Sequence, residues 1–282
     1  MDAGRRAEKE EGVFKMQITI LNKDKENNKM SFLVKNTTPA MMNLLRRTIM
    51  NRVPVMAIEE VELRKNSSAL YDEQVAHRLG LVALTTDLKS YVMPERKNGE
   101  IKEYNAKNSV KLTIKAKGPG LVYASDIKSK DPAIKPVFPK TIITTLLAEQ
   151  ELEVEAVAVL GEGWSHAKWS PGLITYYHNP IITVNNNSSK LEECKSKFPP
   201  KIFGKDGKVD ASLITNFNLV DAVDGICEEV VKIEYDKENF ILNVESWGQL
   251  NAKEMVAKAL EIIDEQSTEI SKEISKAKQK FS

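Results

Sequence analysis

Residues 37–53, TTPAMMNLLRRTIMNRV, decide the fold. Thr37 and Thr38 supply an N-cap hydroxyl, and Pro39 stands at the first helical position, where a missing N–H costs nothing. Met42, Leu45, Ile49 and Val53 recur at helical spacing, giving one apolar face until Pro54 ends the helix. On either side the period changes to two. Upstream, Met16, Ile18 and Ile20 alternate with Gln17 and Thr19, and a second run over 30–34 follows the polar stretch 22–29, which predicts a β-hairpin. Downstream, Val55, Ile58, Val61 and Leu63 predict a strand. Hairpin, helix and strand in that order belong to the α+β class.

Farther along, residues 72–79 have helical spacing through Val75 and Leu79, with Gly80 expected in the left-handed position that closes a helix. Asn98-Gly99 marks a tight turn inside the polar stretch 89–108, and residues 110–116 alternate as a strand. Pro132, Pro136 and Pro139 make 125–140 a loop, and 142–147 and 152–160 are two more extended segments. The middle of the chain therefore reads as a β-rich module. Asn, Ser, Lys, Pro and Gly dominate 179–216, the mark of an exposed subdomain or a long loop. Residues 230–235 and 240–245 flank Asp236-Lys237-Glu238-Asn239 and predict a second hairpin. Val256, Leu260, Ile263, Ser267, Ile270, Ile274 and Ala277 then step by 4, 3, 4, 3, 4 and 3, a narrow heptad seam that calls for a partner helix. Residues 1–15 carry charge and almost nothing to bury, as a mobile tail does.

Composition narrows the function. At about 150 residues per domain, 282 residues make roughly two domains. Forty-one Lys plus Arg face 40 Asp plus Glu, so no global charge holds nucleic acid or an anionic membrane. Cys194 and Cys227 allow one disulfide at most, and with no apolar signal core at the start the expectation is a cytoplasmic protein with reduced thiols. No apolar stretch is long enough to span a bilayer.

Catalytic patterns are sought and not found. The three histidines, His77, His166 and His178, fall in separate elements, and Glu73 with His77 lacks a third ligand nearby. Ser165-His166 lacks the G-x-S-x-G context of a hydrolase, and the glycines at 118–120, 161–163 and 204–207 match no phosphate cradle. Arg46, Arg47 and Arg52 fit either a salt-bridged helix face or a docking surface for an acidic partner. Trp164 and Trp169 bracket His166 and Lys168; such a loop suits a protein interface, with independent nucleic-acid binding through Trp164 to Trp169 as the alternative function. Laid over the iron–sulfur run C-x₂-C-x₂-C-x₃-C-P with Cys194 third, the chain offers Ser188, Leu191 and Phe198 before Pro199. Three thiolates are missing, so no metal or cluster is expected.

Four segments together resemble one family: Thr38 to Arg47, Asp72 to Leu81 (DEQVAHRLGL), Ser165 to Pro171 (SHAKWSP) and Val244 to Gly248 (VESWG). They are similar to the α-like subunit family of archaeal DNA-directed RNA polymerase, whose counterparts are the bacterial α subunit and the eukaryotic α-like subunits. The resemblance runs from about Met16 to the C-terminal helix. It implies a discontinuous dimerisation domain (16–56 and 226–282), an inserted β-rich domain (57–178 and 215–225) and a small third subdomain (179–214). It also implies a non-catalytic assembly subunit that pairs with subunit L, carries small subunits N and P, docks the second-largest subunit and meets DNA only through the complex. Leu44, Leu45, Ile49, Val256, Leu260, Ile263, Ile270 and Ile274 would form the subunit interface. Arg46, Arg47, His77, Arg78, His166 and Lys168 would face the large subunits. Some members carry a cluster in the third subdomain, which the residues at 188, 191 and 198 put out of reach here. The end of the chain soon after its last helix implies that the separate DNA-binding domain of bacterial α is absent.

Overall fold

In a computed structural model the chain is described over residues 15–216 and 219–280; the expected tail, but for Lys15, lies outside that range. The first hairpin forms as read, from β1 (Gln17–Asp24) and β2 (Lys29–Lys35). The Asp24 carboxylate accepts the N–H groups of Glu26 and Asn27 at the turn, and Asn28 takes the left-handed conformation that closes it. Helix α1 (Pro39–Arg52) buries Met42, Leu45, Thr48 and Ile49. Strand β3 (Val55–Asn66) begins with four consecutive buried residues and alternates only from Glu59 onward.

Helix α2 (Asp72–Gly80) departs from the sequence reading at its end. Gly80 remains helical, and the closing residue is Leu81, right-handed at φ −87°, whose N–H reaches the carbonyls of His77 and Arg78. The chain leaves in a further right-handed turn, so no left-handed glycine is required. The tight turn at Asn98-Gly99 does form, joining β4 (Arg96–Lys97) to β5 (Glu100–Ile101) with both turn residues at positive φ.

The β-rich module is built on β3, β6 (Ser109–Lys117), β8 (Lys128–Ser129) and β10 (Glu151–Gly161), in the sheet order β3-β10-β6-β8. All three pairings are antiparallel, and Ala156 of β10 lies opposite Val61 on one side and Leu112 on the other. A second small sheet pairs β7 (Gly120–Tyr123) with β9 (Ile142–Leu146). Helix α2 lays Val75 and Leu79 against this module, whose buried cluster runs from Met56 to Leu160.

Strands β1, β2, β12 (Val231–Ser246) and β11 (Gly172–Val184) form a third sheet in the order β1-β2-β12-β11. The second hairpin expected at 236–239 does not exist, because β12 is one strand through that point. None of residues 236–239 is left-handed. Instead the Asp236 carboxylate accepts the N–H groups of Glu238 and Asn239 and the side-chain amide of Asn239, so polarity in the sequence marks a local distortion, not a turn. The first half of the chain meets this strand directly: Thr37 N–H donates to the Glu238 carbonyl at 3.0 Å.

Between β11 and β12 the chain folds into short helices α3 (Leu191–Lys195), α4 (Ala211–Asn216) and α5 (Val220–Val223). Cys194, Phe198, Ile202, Val209, Ile214, Val223 and Cys227 share one buried cluster, with Leu219 and Val220 packed against it. Residues 219–223 thus pack with the third subdomain and not, as the resemblance implied, with the inserted module. Helix α6 (Ala252–Lys280) closes the described chain. By compactness the chain divides into one unit of Phe32–Pro39 and Tyr176–Leu242 with the described residues up to Thr19, and another of Ile20–Ser31, Ala40–Thr175 and Asn243 onward.

Candidate subunit interface

Helix α6 changes character along its length. Ala252, Met255, Val256 and Ala259 are buried, Leu260, Ile262, Ile263 and Gln266 half-buried, and every residue from Ser267 to Ala277 exposed. Ile270 is 60% and Ile274 53% exposed. The first turns are anchored in this chain's own core, and the seam read from the sequence continues onto a surface that none of the described residues covers. Asn251 caps the helix by accepting the Glu254 N–H, and Glu254 accepts the Asn251 N–H in return.

Helix α1 presents Leu44, 44% exposed, and Arg47 on its outer face. They line one groove with Asn43, Asn51, Trp164 and Gln266 of α6, so the two helices meet at that point. Leu45, Ile49 and Val256, expected at the interface, are 1%, 0% and 5% exposed. They are core residues; the heptad pattern does not separate the face turned to the chain's own core from the face turned away.

The loop 161–169 is fastened to the end of α1. Trp164 N–H donates to the Asn51 carbonyl at 3.1 Å, and Arg52 bridges to Glu162 at 3.2 Å, which also accepts the Trp164 indole N–H. Gly163 is required here, since a Cβ would lie 2.2 Å from the Met50 carbonyl oxygen. Trp164 is consequently held in the open at 66% exposure, whereas Trp169 is buried against Gly161.

Lys168, expected to face the large subunits, is engaged within this chain. Its ammonium donates to the Ile58 carbonyl at 3.0 Å and to Glu59 at 2.6 Å and lies 4.4 Å from the centre of the Trp169 ring. Arg96 reaches the other Glu59 oxygen at 2.9 Å and lies 5.2 Å from the same ring. Burial alone would raise the Glu59 carboxyl, but hydrogen bonds from Lys168 and Arg96, with their charge, hold it below the ordinary carboxylate value. With Lys168 spent internally and Trp169 in the core, the loop does not display the interleaved aromatic and basic face that nucleic-acid binding would use. Glu59 and Arg96 escaped the sequence reading; the one clue is that Glu59 is the first charge after the fully apolar run 55–58.

The remaining polar residues are scattered. Arg46 turns back on its own helix, donating to Asn43 at 2.9 Å. His77 and Arg78 are exposed on α2, Arg78 donating to the Ile143 carbonyl at 2.9 Å. His166 is exposed, its Nδ1 accepting the Lys168 N–H. Among the described residues no three His, Cys, Asp or Glu side chains gather as a metal site. At the positions an iron–sulfur cluster would use, Phe198 is buried 6.5 Å from the Phe203 ring, Leu191 is a half-buried apolar side chain, and the Ser188 hydroxyl accepts the Lys190 N–H. These residues do not fit a cluster, which needs soft anionic sulfur. Among the described residues no helix is long and apolar enough to cross a membrane.

Comparison with known proteins bears on the same elements. Residues 60–175 match the family described as RNA polymerase Rpb3/RpoA insert domain. The chain is 35% identical to DNA-directed RNA polymerase subunit Rpo3 of Methanothermobacter thermautotrophicus over 89% of this chain and 97% of that protein. It is 33% identical to the Rpo3 subunit of Pyrococcus furiosus, over 93% and 98%. The Rpo3 subunit of Methanosarcina acetivorans is also 33% identical, over 90% and 97%.

Proposed function

The chain belongs to the DNA-directed RNA polymerase subunit Rpo3 family, and from that premise we propose that it is the α-like assembly subunit of a cytoplasmic RNA polymerase, pairing with subunit L through α1 and α6. The observation that carries this reading is the apolar seam of α6, whose Ile270 and Ile274 stand open beyond the turns anchored in the core. An amphipathic helix gains most of its stability by burying its apolar face, so a face left open over its last turns calls for a partner. Leu44 and Trp164, both exposed beside Gln266, extend the same surface onto α1. On this reading the pair carries small subunits N and P and docks the second-largest subunit, with Arg47, His77, Arg78 and His166 on the exposed side of that contact. The chain itself contributes no catalytic group, needs no cofactor and meets DNA only through the complex.

The test is recovery of complexes from cells carrying a tagged chain, read by mass spectrometry. Wild type should bring down a small α-like partner with the large polymerase subunits. Ile270→Asp should fold normally by circular dichroism and lose the small partner, because an unpaired charge would be buried in the seam. Undiminished recovery with Ile270→Asp would show that the seam is not the contact.

A further inference from the structure

The third subdomain holds a feature for which the assembly role has no use. Cys194 lies in the short helix α3 and Cys227 in the turn before β12, where its carbonyl accepts the N–H groups of Val230 and Val231. Both are buried and free, and their Sγ atoms are in contact at 2.6 Å although the residues are 33 apart in the chain. Around them stand Phe198, Ile202, Val209, Ile214 and Val223, so the sulfurs face apolar neighbours and each other, not a set of ligands. The helices that carry this cluster are five, six and four residues long, too short to hold themselves together by their own hydrogen bonds. Small cores of this kind are commonly held by a metal or a cross-link, and the residues here do not fit a cluster.

We propose that Cys194 and Cys227 are a disulfide-forming pair, a reversible covalent staple that closes the third subdomain. The oxidant is a low-molecular-weight disulfide. One cysteine thiolate attacks it, forming a mixed disulfide and releasing one small thiolate. The second cysteine thiolate then attacks the sulfur of the first, forming the Sγ–Sγ bond and expelling the other small thiolate. The two cysteines lose two protons and two electrons, and the reagent leaves as two thiols. The hydrogen bond with Cys227, together with burial, pushes the Cys194 thiol up, so exchange proceeds mainly through opened forms of the subdomain. Once closed, the link restricts those opened forms across the segment it spans.

The full chain is equilibrated in mixtures of reduced and oxidised glutathione, acid-quenched, alkylated and mapped by peptide mass spectrometry. The expected result is an intramolecular link between the peptides of Cys194 and Cys227, with amides of residues 191–231 exchanging on the order of 10²-fold more slowly in the linked form than in the reduced one. Cys227→Ser should abolish the link and make exchange in that segment independent of the glutathione ratio. Complete alkylation of both cysteines at every ratio, links joining different chains, or equal exchange in linked and reduced protein would each overturn the proposal. The mapping needs only the wild-type chain, so a variant that failed to fold would leave it decisive, and none of these outcomes depends on partner recovery.

Discussion

Glu59 holds two cations at once, Lys168 and Arg96, over the face of a buried indole. The three charged side chains are 20%, 13% and 27% exposed, so water screens them poorly and each cation depends on the carboxylate. Glu59→Gln leaves two neighbouring cations without a counter-charge, and its expected cost is about 2–3 kcal/mol of unfolding free energy in urea titrations at neutral pH. The sign of the pH dependence follows from the direction of the shift. A carboxyl held below its ordinary value of 4.5 contributes stability that is present above that value and is lost as pH falls through the folded value. The gap between wild type and Glu59→Gln should therefore be widest near neutrality and close on acidification below 4.5; a gap constant with pH would mean that packing, not charge, is lost.

At the scale of elements, local pattern was a good guide where an element's periodicity was long enough to show. The first hairpin, α1, the body of α2, the Asn98-Gly99 turn and strands β3, β6, β9 and β10 were legible, whereas β7 and the two-residue β8, which falls in the proline-rich stretch read as a loop, were not. What else remained hidden was long-range. Spacing groups Leu45 and Ile49 with Met42 on one face of α1 and leaves Leu44 off it, but only the tertiary fold decides that this face meets the chain's own core and not a partner. The Lys168–Glu59 contact joins residues 109 apart, a separation no local pattern encodes. Strand β12 failed for a different reason: polar residues favour turns and distorted strands alike, and Asp236 satisfies the backbone without reversing it. Asp236→Ala should release the N–H groups of Glu238 and Asn239 and lower the midpoint of thermal unfolding if that carboxylate holds the local geometry. A neutral outcome would show that the flanking ladder sets it alone.

For the whole molecule, charge and surface act together. Its formal net charge is +1, so copies of the chain repel one another weakly. The same molecule carries an open seam at Ile270 and Ile274 and exposed Leu44 and Trp164 beside Gln266. Specific interfaces bury about 800 Å² on each partner, and a chain made without the partner for such a surface is left with apolar area in water. The isolated chain is therefore expected to self-associate reversibly with concentration in light scattering. Because the contact is apolar, raising salt to about 1 M, where charges are screened beyond about 3 Å, should leave the association intact or strengthen it. Ile270→Asp together with Ile274→Asp should return the chain to a monomer with little change in unfolding free energy, since both positions are exposed in the folded chain. Dissociation by salt would instead assign the association to ion pairs, and a wild-type chain that stays monomeric at high concentration would mean that the end of α6 is stable in water without a covering partner.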